Sequence, residues 1–436
     1  MRLIEEILSK ENLQKAIKKV KENKGAPGID KMKVEEVEQW FEQYREDITS
    51  MIMNKQYQPM PVRRVYIPKP NGKQRPLGIP TVIDRVIQQA MAQIISTIYE
   101  PIFSEHSYGF RPGRSAHMAM EEVLYNLNDG YEWIVDLDIE KFFDTVNHDK
   151  LISILRENVK DSTTLHLIRA YLRAGVFDKG LVKSTTVGTP QGGPISVILS
   201  NIYLDKFDKE LESRNLRFVR YADDCIIFVK SEMSANRVMK SVTSWLERKL
   251  FLKVSATKTK VVRPTKGQFL GFTFFKNSDK WRCRPTKDRK KRIYSNMKAI
   301  LKRKYAVSRR LTETFKKVNQ VVRGWINYFR IGGIKTFLTK FGEWLRHKIR
   351  CIIIKQWKKA RTIYRNLMRI SNEQKFNFTH EDIVKCAYAR LGWYRRSTGN
   401  VVSFILSPNY LSIKKGDRPG LVNPLDYYLK KLYSNI

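Results

Sequence analysis

Residues 218–229 read FVRYADDCIIFV, in which two apolar runs flank the short turn Ala222-Asp223-Asp224. This pattern predicts a β-hairpin that presents two carboxylates at its tip. A pair of acids between apolar strands is costly when it is desolvated without a counter-charge. A single Asp in a turn is common as a capping residue, but an adjacent pair in a basic chain favours a bound cation.

A second acidic segment has the same character. Residues 133–139 read WIVDLDI and predict a strand with Asp138 at its end. Hard cations such as Mg²⁺ prefer oxygen ligands, and two such ions about 4 Å apart activate an attacking oxygen and stabilise a leaving one. We therefore predict that Asp138, Asp223 and Asp224 converge in space and hold a pair of Mg²⁺ ions.

The composition indicates an anionic partner. The 436-residue chain contains 82 Lys+Arg and 43 Asp+Glu, which gives a formal net charge of +39. Because Lys and Arg neutralise phosphates and release condensed counterions, nucleic acid is the leading partner. A ribosomal-type structural role and a membrane-surface role are the alternatives. The 42% hydrophobic content excludes a disordered chain.

The sequence has no pattern typical of a membrane-spanning or exported protein. Its apolar runs are far shorter than the roughly 18 residues that a bilayer span needs, and Glu5 and Glu6 stand where a signal peptide would be apolar. Four cysteines lie far apart without a Cys-x-x-Cys pair, which argues against a disulfide framework and a classical zinc site. We expect a cytoplasmic location and no membrane partner.

The positive charge is concentrated in one segment. Residues 281–370 hold 28 Lys+Arg and 3 Asp+Glu, a net charge of +25, and the other 346 residues share the remaining +14. Apolar residues at steps of three and four predict two basic amphipathic helices on either side of Gly332-Gly333. Trp325, Tyr328 and Trp344 could stack on bases, but their helical spacing favours packing in the helical core. The two apolar faces comprise Phe315, Val318, Val322, Trp325 and Phe329, and then Phe337, Phe341, Leu345, Ile349 and Ile352.

Local patterns organise the first hundred residues. A helix pattern that begins near Leu13 stops at the Gly- and Pro-containing loop of residues 23–28. A short strand is predicted from Val62 to Ile67, and Asn71-Gly72 then predicts a hairpin turn. A further helix is predicted from Asp84 to about Tyr99.

Several motifs resemble those of reverse transcriptases. The turn at 221–224 (YADD) resembles the metal-binding motif of that family, and Asp138 followed by Phe143 resembles the other palm motif. Residues 188–194 (GTPQGGP) are similar to the template and nucleotide loop, and residues 269–272 (FLGF) to the primer-grip turn. More narrowly, three motifs resemble the bacterial group II intron-encoded reverse transcriptase/maturases, and the match is collinear from about residue 5 to residue 365. These motifs are NKGAPGID at 23–30, SYGFRP at 107–112 and RGWINYF at 323–329.

The resemblance implies an α+β fold of the right-hand polymerase type. Fingers, a palm built from an antiparallel sheet with helices, and a helical thumb would be followed by a small C-terminal domain. We assign residues 1–55 to an N-terminal extension, 56–280 to fingers and palm, 281–365 to a thumb or maturase (X) domain, and 366–436 to a C-terminal DNA-binding-like segment. This last segment has no paired cysteines and no His cluster, so no His/Cys endonuclease is expected in it.

The resemblance also implies roles for individual residues. Asp138, Asp223 and Asp224 would be catalytic and would hold the two Mg²⁺ ions, with the Ile139 carbonyl as an extra ligand. Lys258 would lie near the leaving pyrophosphate as a possible acid, although Lys260 competes for that role. Other nucleotide contacts are expected from Lys69, Arg75, Phe143 and Gln191, of which the two cations also fit ordinary surface positions. Contacts with nucleic acid are expected from Arg63, Arg111, Arg114, Gly192 and Arg323.

Phe143 has a specific expected role. A bulky ring beneath the sugar would collide with a 2′-hydroxyl and would therefore favour deoxynucleotides. If Phe142 and Phe143 continue the preceding strand, their side chains point to opposite faces, and Phe142 is then the core residue.

Four functions fit these patterns. The first is a magnesium-dependent RNA-directed DNA polymerase that binds its own group II intron RNA, takes an RNA template, a DNA primer and dNTPs, and acts as a monomer or dimer. The second is an RNA-binding maturase with a relic palm, which the intact set of three acids disfavours. The third is an RNA-directed RNA polymerase, which Phe143 disfavours. The fourth is a free-standing reverse transcriptase of a retron-like or defence system.

Overall fold

The computed structural model describes residues 2–68, 72, 74–178, 180–183, 187–189 and 192–433. The chain divides into two compact units, Met1–Gly267 and Gln268–Ile436. No helix within the described ranges has the length and apolar character needed to cross a bilayer.

The first unit combines helices and strands. Its helices are α1 (Leu3–Ile7), α2 (Lys10–Glu22), α3 (Val37–Met53), α4 (Val82–Tyr99), α5 (Ala116–Asn128), α6 (Phe142–Thr145), α7 (His148–Asn158), α8 (Ser162–Arg173), α9 (Pro194–Ser213) and α10 (Glu232–Lys249). Its strands are β1 (Val62–Pro68), β2 (Gln74–Ile79), β3 (Trp133–Asp138), β4 (Val176–Asp178), β5 (Leu181–Lys183), β6 (Arg217–Tyr221), β7 (Asp224–Val229) and β8 (Lys260–Val262).

The central sheet of this unit is antiparallel, in the order β6-β7-β3-β8. Strand β7 is buried from Cys225 to Val229, as expected for a strand whose two faces are both covered. Apolar residues of β3, including Val135 and Leu137, share one core with residues of the surrounding helices such as Phe207 and Leu246. The antiparallel sheet backed by helices is therefore confirmed.

A second sheet has the order β2-β1-β4-β5. Strands β1 and β2 pair antiparallel from Arg63↔Ile79 to Pro68↔Gln74, so the predicted hairpin is present. Asn71 of its predicted turn lies outside the described residues. The predicted helix from Asp84 corresponds to α4, which begins two residues earlier because the Thr81 hydroxyl accepts a hydrogen bond from the Asp84 amide as an N-cap.

The second unit is mainly helical. Its strands are β9 (Gln268–Phe269), β10 (Phe272–Asn277) and β11 (Lys280–Pro285), and they form a small sheet in the order β11-β10-β9. The helices that follow include the two predicted amphipathic helices, Leu311–Phe329 and Lys335–Trp357. The helices are α11 (Lys287–Ile300), α12 (Arg303–Ala306), α13 (Leu311–Phe329), α14 (Lys335–Trp357), α15 (Ala360–Glu373), α16 (His380–Tyr388), α17 (Trp393–Arg396), α18 (Asn400–Ile405), α19 (Pro408–Ser412) and α20 (Pro424–Tyr433).

The boundary between the units differs from the expected one at residue 280. The β10–β11 hairpin belongs to the helical unit, because the Phe272 ring lies 5.0 Å from the Phe329 ring of α13. The C-terminal segment belongs to this unit as well. The Asn319 side chain donates to the Gly420 carbonyl at 2.7 Å and accepts from the Val422 amide at 2.8 Å.

Candidate active site

The register of the central sheet brings the three predicted aspartates together. Asp138 at the end of β3 is directly opposite Asp224 at the start of β7, a position in which Cα atoms lie about 4.5–5.5 Å apart. Asp224 also pairs with Tyr221 across the β6–β7 hairpin, so Asp223 lies in the two-residue turn between them. Residues that are 85 positions apart in the sequence therefore meet at one edge of the sheet.

The turn that carries Asp223 has a constrained backbone. Ala222 adopts φ +57°, a left-handed conformation that costs a non-glycine residue on the order of 1 kcal/mol or more. Its carbonyl accepts a hydrogen bond from Arg220 Nη1 at 2.9 Å. On the other side, a Cβ at Gly109 would lie 2.2 Å from the Ala222 amide nitrogen, so only glycine permits this close approach.

A buried arginine anchors the turn to helix α9. The Arg220 side chain is 1% exposed and forms a bidentate ion pair with Asp208, with N–O distances of 2.7 and 2.5 Å. Its Nη1 also donates to the Asn201 side-chain oxygen at 3.1 Å, and Asn201 in turn donates to the Gly109 carbonyl at 2.9 Å. Burial lowers the pKa of Arg220, but the charge of Asp208 and the hydrogen bonds to it, together with weaker contributions, raise the pKa overall. Arg220 therefore stays charged at neutral pH.

The buried ion pair between Arg220 and Asp208 was not predicted from the sequence. A charged residue inside the apolar run of 218–229 was a signal that a partner was needed, since a buried unpaired charge is very costly. The partners Asn201 and Asp208 could not be chosen from the sequence, because they belong to a helix whose contact with β6 depends on the tertiary fold.

The acids at the edge of the sheet lack sufficient positive charge around them. Burial and repulsion from Asp223 and Asp138 raise the pKa of Asp224 to about 6. Because Asp224 is exposed at the end of its strand, we attribute its raised pKa mainly to repulsion from the neighbouring carboxylates. Burial also raises the pKa of Asp136, although Lys260 opposes this shift. A divalent cation at this edge would relieve the repulsion.

Lys258 approaches the aspartates directly. Its Nζ lies 2.9 Å from Asp138 Oδ1 and 3.0 Å from Oδ2, and the lysine side chain is 67% exposed. A long, exposed ammonium group can move away from the carboxylate without disturbing the core. The lysine expected near the leaving group thus lies beside the metal ligands, where it partly neutralises Asp138.

The carboxylate and carbonyl oxygens at this edge suit a hard cation, but they are not already arranged as a complete metal-binding site. Within the described ranges, no three His, Cys, Asp or Glu side chains form a metal-binding cluster, and Asp138 is held by Lys258. The Ile139 carbonyl remains suitable as a ligand. Ile139 faces Val254 across an isolated antiparallel bridge. The hydrogen bonds on either side of this bridge involve the Asp138 carbonyl and the Glu140 amide, so neither of them uses the Ile139 carbonyl.

Phe142 and Phe143 lie on the helical turn α6 and do not continue β3, so the condition for their alternation across a strand is not met. The chain leaves the extended conformation at Lys141, where φ is +46°. Phe142 is 2% exposed and belongs to the core, as expected, whereas Phe143 is half-buried and packs edge-on against it at 5.3 Å.

The described part of the glycine-rich loop lies next to Phe143. The Thr189 amide donates to the Phe143 carbonyl at 2.6 Å, and Nε2 of buried His148 lies 2.7 Å from the Gly188 carbonyl. Gly192 has φ +127°, and a Cβ there would lie 2.3 Å from the Gly78 carbonyl of β2. The loop is therefore fixed between α6 and the β1–β2 hairpin. Gln191, predicted to contact the nucleotide, lies outside the described residues.

The cations predicted on the β1–β2 hairpin have different surroundings. Arg75 is exposed on β2, opposite Ile67, and Lys69 lies outside the described residues. Arg63 donates from Nε and Nη2 to the Pro27 carbonyl at 3.1 and 2.8 Å. Arg63 thus ties the 23–30 motif to the hairpin, a role that the sequence did not indicate.

The other residues predicted to contact nucleic acid differ in how deeply their side chains are buried. The assignment of Arg111 needs correction, because its side chain is 3% exposed, pairs with Glu100 and donates to the Ser104 and Ser107 carbonyls. Its guanidinium group shapes the loop next to the catalytic turn. Arg114 is half-buried, with its guanidinium group 5.6 Å from the Tyr108 ring centroid. Arg323 is exposed on α13, and its guanidinium carbon lies 5.8 Å from the Tyr427 ring centroid.

Comparisons with known proteins agree with this geometry. Residues 67–274 match the family model "Reverse transcriptase (RNA-dependent DNA polymerase)", and residues 290–371 match "Group II intron, maturase-specific domain". The first match contains all three aspartates, and the second contains helices α13 and α14.

Individual relatives give the same assignment. The chain is 33% identical to Escherichia coli "Protein YkfC" over 321 residues, 64% of this chain and 84% of that protein. It is 42% identical to Lactococcus lactis "Group II intron-encoded protein LtrA" over 171 residues, 39% of this chain and only 28% of LtrA. A solved chain titled "Partial Cas6-RT-Cas1--Cas2 complex" aligns with 57% of this chain and 43% of its own length. Its 24% identity and TM-score of 0.37 add nothing to the assignment. The chain belongs to the group II intron-encoded reverse transcriptase/maturase family.

Proposed function

We propose that this protein copies RNA into DNA at the site formed by Asp138, Asp223 and Asp224. The observation that carries the proposal is the pairing of Asp138 with Asp224 across β3 and β7. Two Mg²⁺ ions held there would activate the primer 3′-oxygen and stabilise the leaving pyrophosphate. The three carboxylates, with the Ile139 carbonyl, would orient the primer end and the triphosphate in line.

Other residues of the first unit would position the nucleotide. Lys258 would release Asp138 and donate to the leaving phosphates, because its ammonium group is exposed and lies beside Asp138. Arg75, with Lys69, would bind the triphosphate from the β1–β2 hairpin. Phe143 would lie beneath the sugar, and Gln191 and Gly192 would contact the base pair from the glycine-rich loop.

The second unit would bind the RNA. The maturase-specific match and the name of LtrA support a group II intron RNA as the partner. The excess of cations on 281–370 would act mainly through phosphates, with Arg323 and, in the first unit, Arg114 as contacts. A DNA primer and dNTPs complete the substrates. We further propose a cytoplasmic location and a monomer or dimer.

The test is extension of a DNA primer on an RNA template with Mg²⁺. Wild-type protein is expected to extend the primer, and Asp223→Asn/Asp224→Asn to lose at least about 10³-fold in rate, as when the charge-stabilising group of a transition state is removed. Asp279→Asn is the matched control, because Asp279 is an exposed acid in the β10–β11 turn. Extension by the double variant at the wild-type rate would overturn the proposal. RNA binding without any extension by the wild type would favour the maturase-only alternative.

A further inference from the structure

A cavity of about 510 Å³ lies within the second unit, and none of the three aspartates lines it. Its walls come from the end of α11, the segment around α12, helix α14 and the short helix α17. This volume is in the range of small-ligand sites. Three aromatic side chains line it, namely Trp344, Trp393 and Tyr394.

The charges around this cavity are all of one sign. Four cations line it, and of the described residues no Asp or Glu does. A shallow groove next to it shares Arg303 and Lys355, and adds Lys304, Lys358 and the Ser308 hydroxyl. Within the part of the chain that the structure describes, none of these six cations forms a salt bridge. They are Lys298, Arg303, Lys304, Lys348, Lys355 and Lys358.

The aromatic rings are positioned next to these cations. Tyr394 is 58% exposed, and the Lys348 ammonium nitrogen lies 5.1 Å from its ring centroid. The Lys355 nitrogen lies 5.9 Å from the Trp393 ring centroid. Aromatic faces beside phosphate-binding cations are the arrangement with which proteins bind single-stranded nucleic acid, since bases stack and the backbone follows the charges.

The walls of the cavity are held by specific hydrogen bonds. The Gln356 amide group of α14 donates to the carbonyls of Ala306, Val307 and Arg309, at 3.3, 3.3 and 2.9 Å. On the opposite wall, the Cys351 thiol lies 2.8 Å from the Ser397 hydroxyl. Both walls of the cavity are therefore hydrogen-bonded to helix α14. The cavity has its shape without a bound ligand.

We propose that this cavity binds one unpaired base of a single-stranded RNA, stacked against Tyr394 and Trp393, with the flanking phosphates in the cationic groove. The assignment of RNA rests on the proposed function, because all the lining residues except those of 392–394 lie within the maturase-specific match, 290–371. The site adds base stacking to the phosphate contacts proposed for the basic helices.

The experiment uses the full chain and a single-stranded 12-nucleotide RNA that carries 4-thiouridine. Photo-crosslinked peptides are mapped by mass spectrometry, and affinity is measured by fluorescence anisotropy. The expected crosslink lies in the peptide that contains Trp393 and Tyr394. Tyr394→Ala is expected to weaken binding about tenfold, in the range found for the loss of one base stack. Arg303→Gln/Lys355→Gln is expected to abolish this crosslink.

Two matched controls are available. Tyr388→Ala removes an equally exposed tyrosine, 58% exposed on α16, that does not line the cavity. Arg237→Gln/Lys240→Gln removes the same charge from exposed positions of α10 in the first unit. Both controls are expected to keep the crosslink, and thermal melting of every variant identifies any loss of folding.

The outcomes separate this inference from the proposed polymerase function. Crosslinks elsewhere, together with normal primer extension by the wild type, would overturn the cavity assignment alone. A crosslink at the cavity without primer extension would support the cavity and count against the polymerase. Equal competition by DNA of the same sequence would overturn the assignment of RNA as the occupant.

Discussion

Phe143 shows how one side chain would select the sugar of the nucleotide. It lies half-buried on α6, and its carbonyl accepts the Thr189 amide of the glycine-rich loop. We expect Phe143→Ala to open space for a 2′-hydroxyl. Discrimination against ribonucleotides should fall by about tenfold or more, the range expected when a steric contact of ~1–3 kcal/mol is removed. Competing dNTP and NTP incorporation in primer extension measures this ratio.

The control for Phe143→Ala is Phe142→Leu. Phe142 is 2% exposed, so its truncation creates a cavity and lowers stability by about 1–2 kcal/mol while the Phe143 ring itself is retained. If both variants discriminate between the sugars as the wild type does, Phe143 is only a packing residue.

The hairpin β6–β7 and helix α9 act as one element through Arg220. Lysine cannot reproduce the bidentate contact with Asp208, and it has no second arm for Asn201 and the Ala222 carbonyl. We expect Arg220→Lys to cost about 1–3 kcal/mol, since the buried Asn201 and Ala222 oxygens would lose their donor. The catalytic turn should lose its position at the same time. A fall in both the melting temperature and the primer-extension rate would report this.

Arg217→Lys on the same strand provides the comparison. Arg217 pairs with Asp129 at 2.6 Å but is 38% exposed, and exposed pairs contribute at most about 1 kcal/mol. Equal losses of stability in the two variants would refute the special role of Arg220.

Asp205 on helix α9 makes the free energy of unfolding depend on pH. Asp205 is 7% exposed, and burial together with the charge of Asp208 raises its pKa from 3.8 to about 6. The folded state therefore holds its proton more tightly than the unfolded state. Stability falls as the pH rises from about 4 to 6 and is then constant. We expect Asp205→Asn to remove this loss, so the variant should be about 1–3 kcal/mol more stable at pH 8 but not at pH 3.

Urea unfolding at both pH values measures the Asp205 effect. Asp149→Asn, which changes a side chain that is 81% exposed, is expected to show no such pH dependence. A gain of stability that is the same at pH 3 and pH 8 would mean that folding does not raise the pKa of Asp205.

Some of these features could be predicted from the sequence and others could not. The aspartates of the sheet edge were predictable, because alternation and turn chemistry are local properties of 133–139 and 218–229. The helical turn at Phe142 and Phe143 could not be predicted, since it starts at a positive φ of Lys141 that no periodicity indicates. Arg111 was expected to contact nucleic acid, and its burial could not be predicted because loop packing brings its partners Glu100 and Ser107 together.

At the scale of the whole molecule, charge and chemistry are divided between the units. Gln268–Ile436 contains 40 Lys+Arg and 9 Asp+Glu, so it carries +31 of the total charge of +39. Met1–Gly267, which contains the three aspartates, carries only +8. The carboxylates of the candidate site are thus in the unit with little excess positive charge, where a divalent ion is needed, and the cations are concentrated where RNA is proposed to bind.

This division predicts strong salt dependence of RNA binding. With six or more phosphates neutralised, the logarithm of affinity for single-stranded RNA should fall linearly with the logarithm of salt, with a slope of about −4 or steeper. Fluorescence anisotropy across a salt series measures the slope. An RNA of the same sequence with an uncharged methylphosphonate backbone is the control, and its weak binding should hardly change with salt. A flat response for the natural RNA would show that the cations of Gln268–Ile436 do not contact phosphates, and the RNA-binding role of that unit would have to be abandoned.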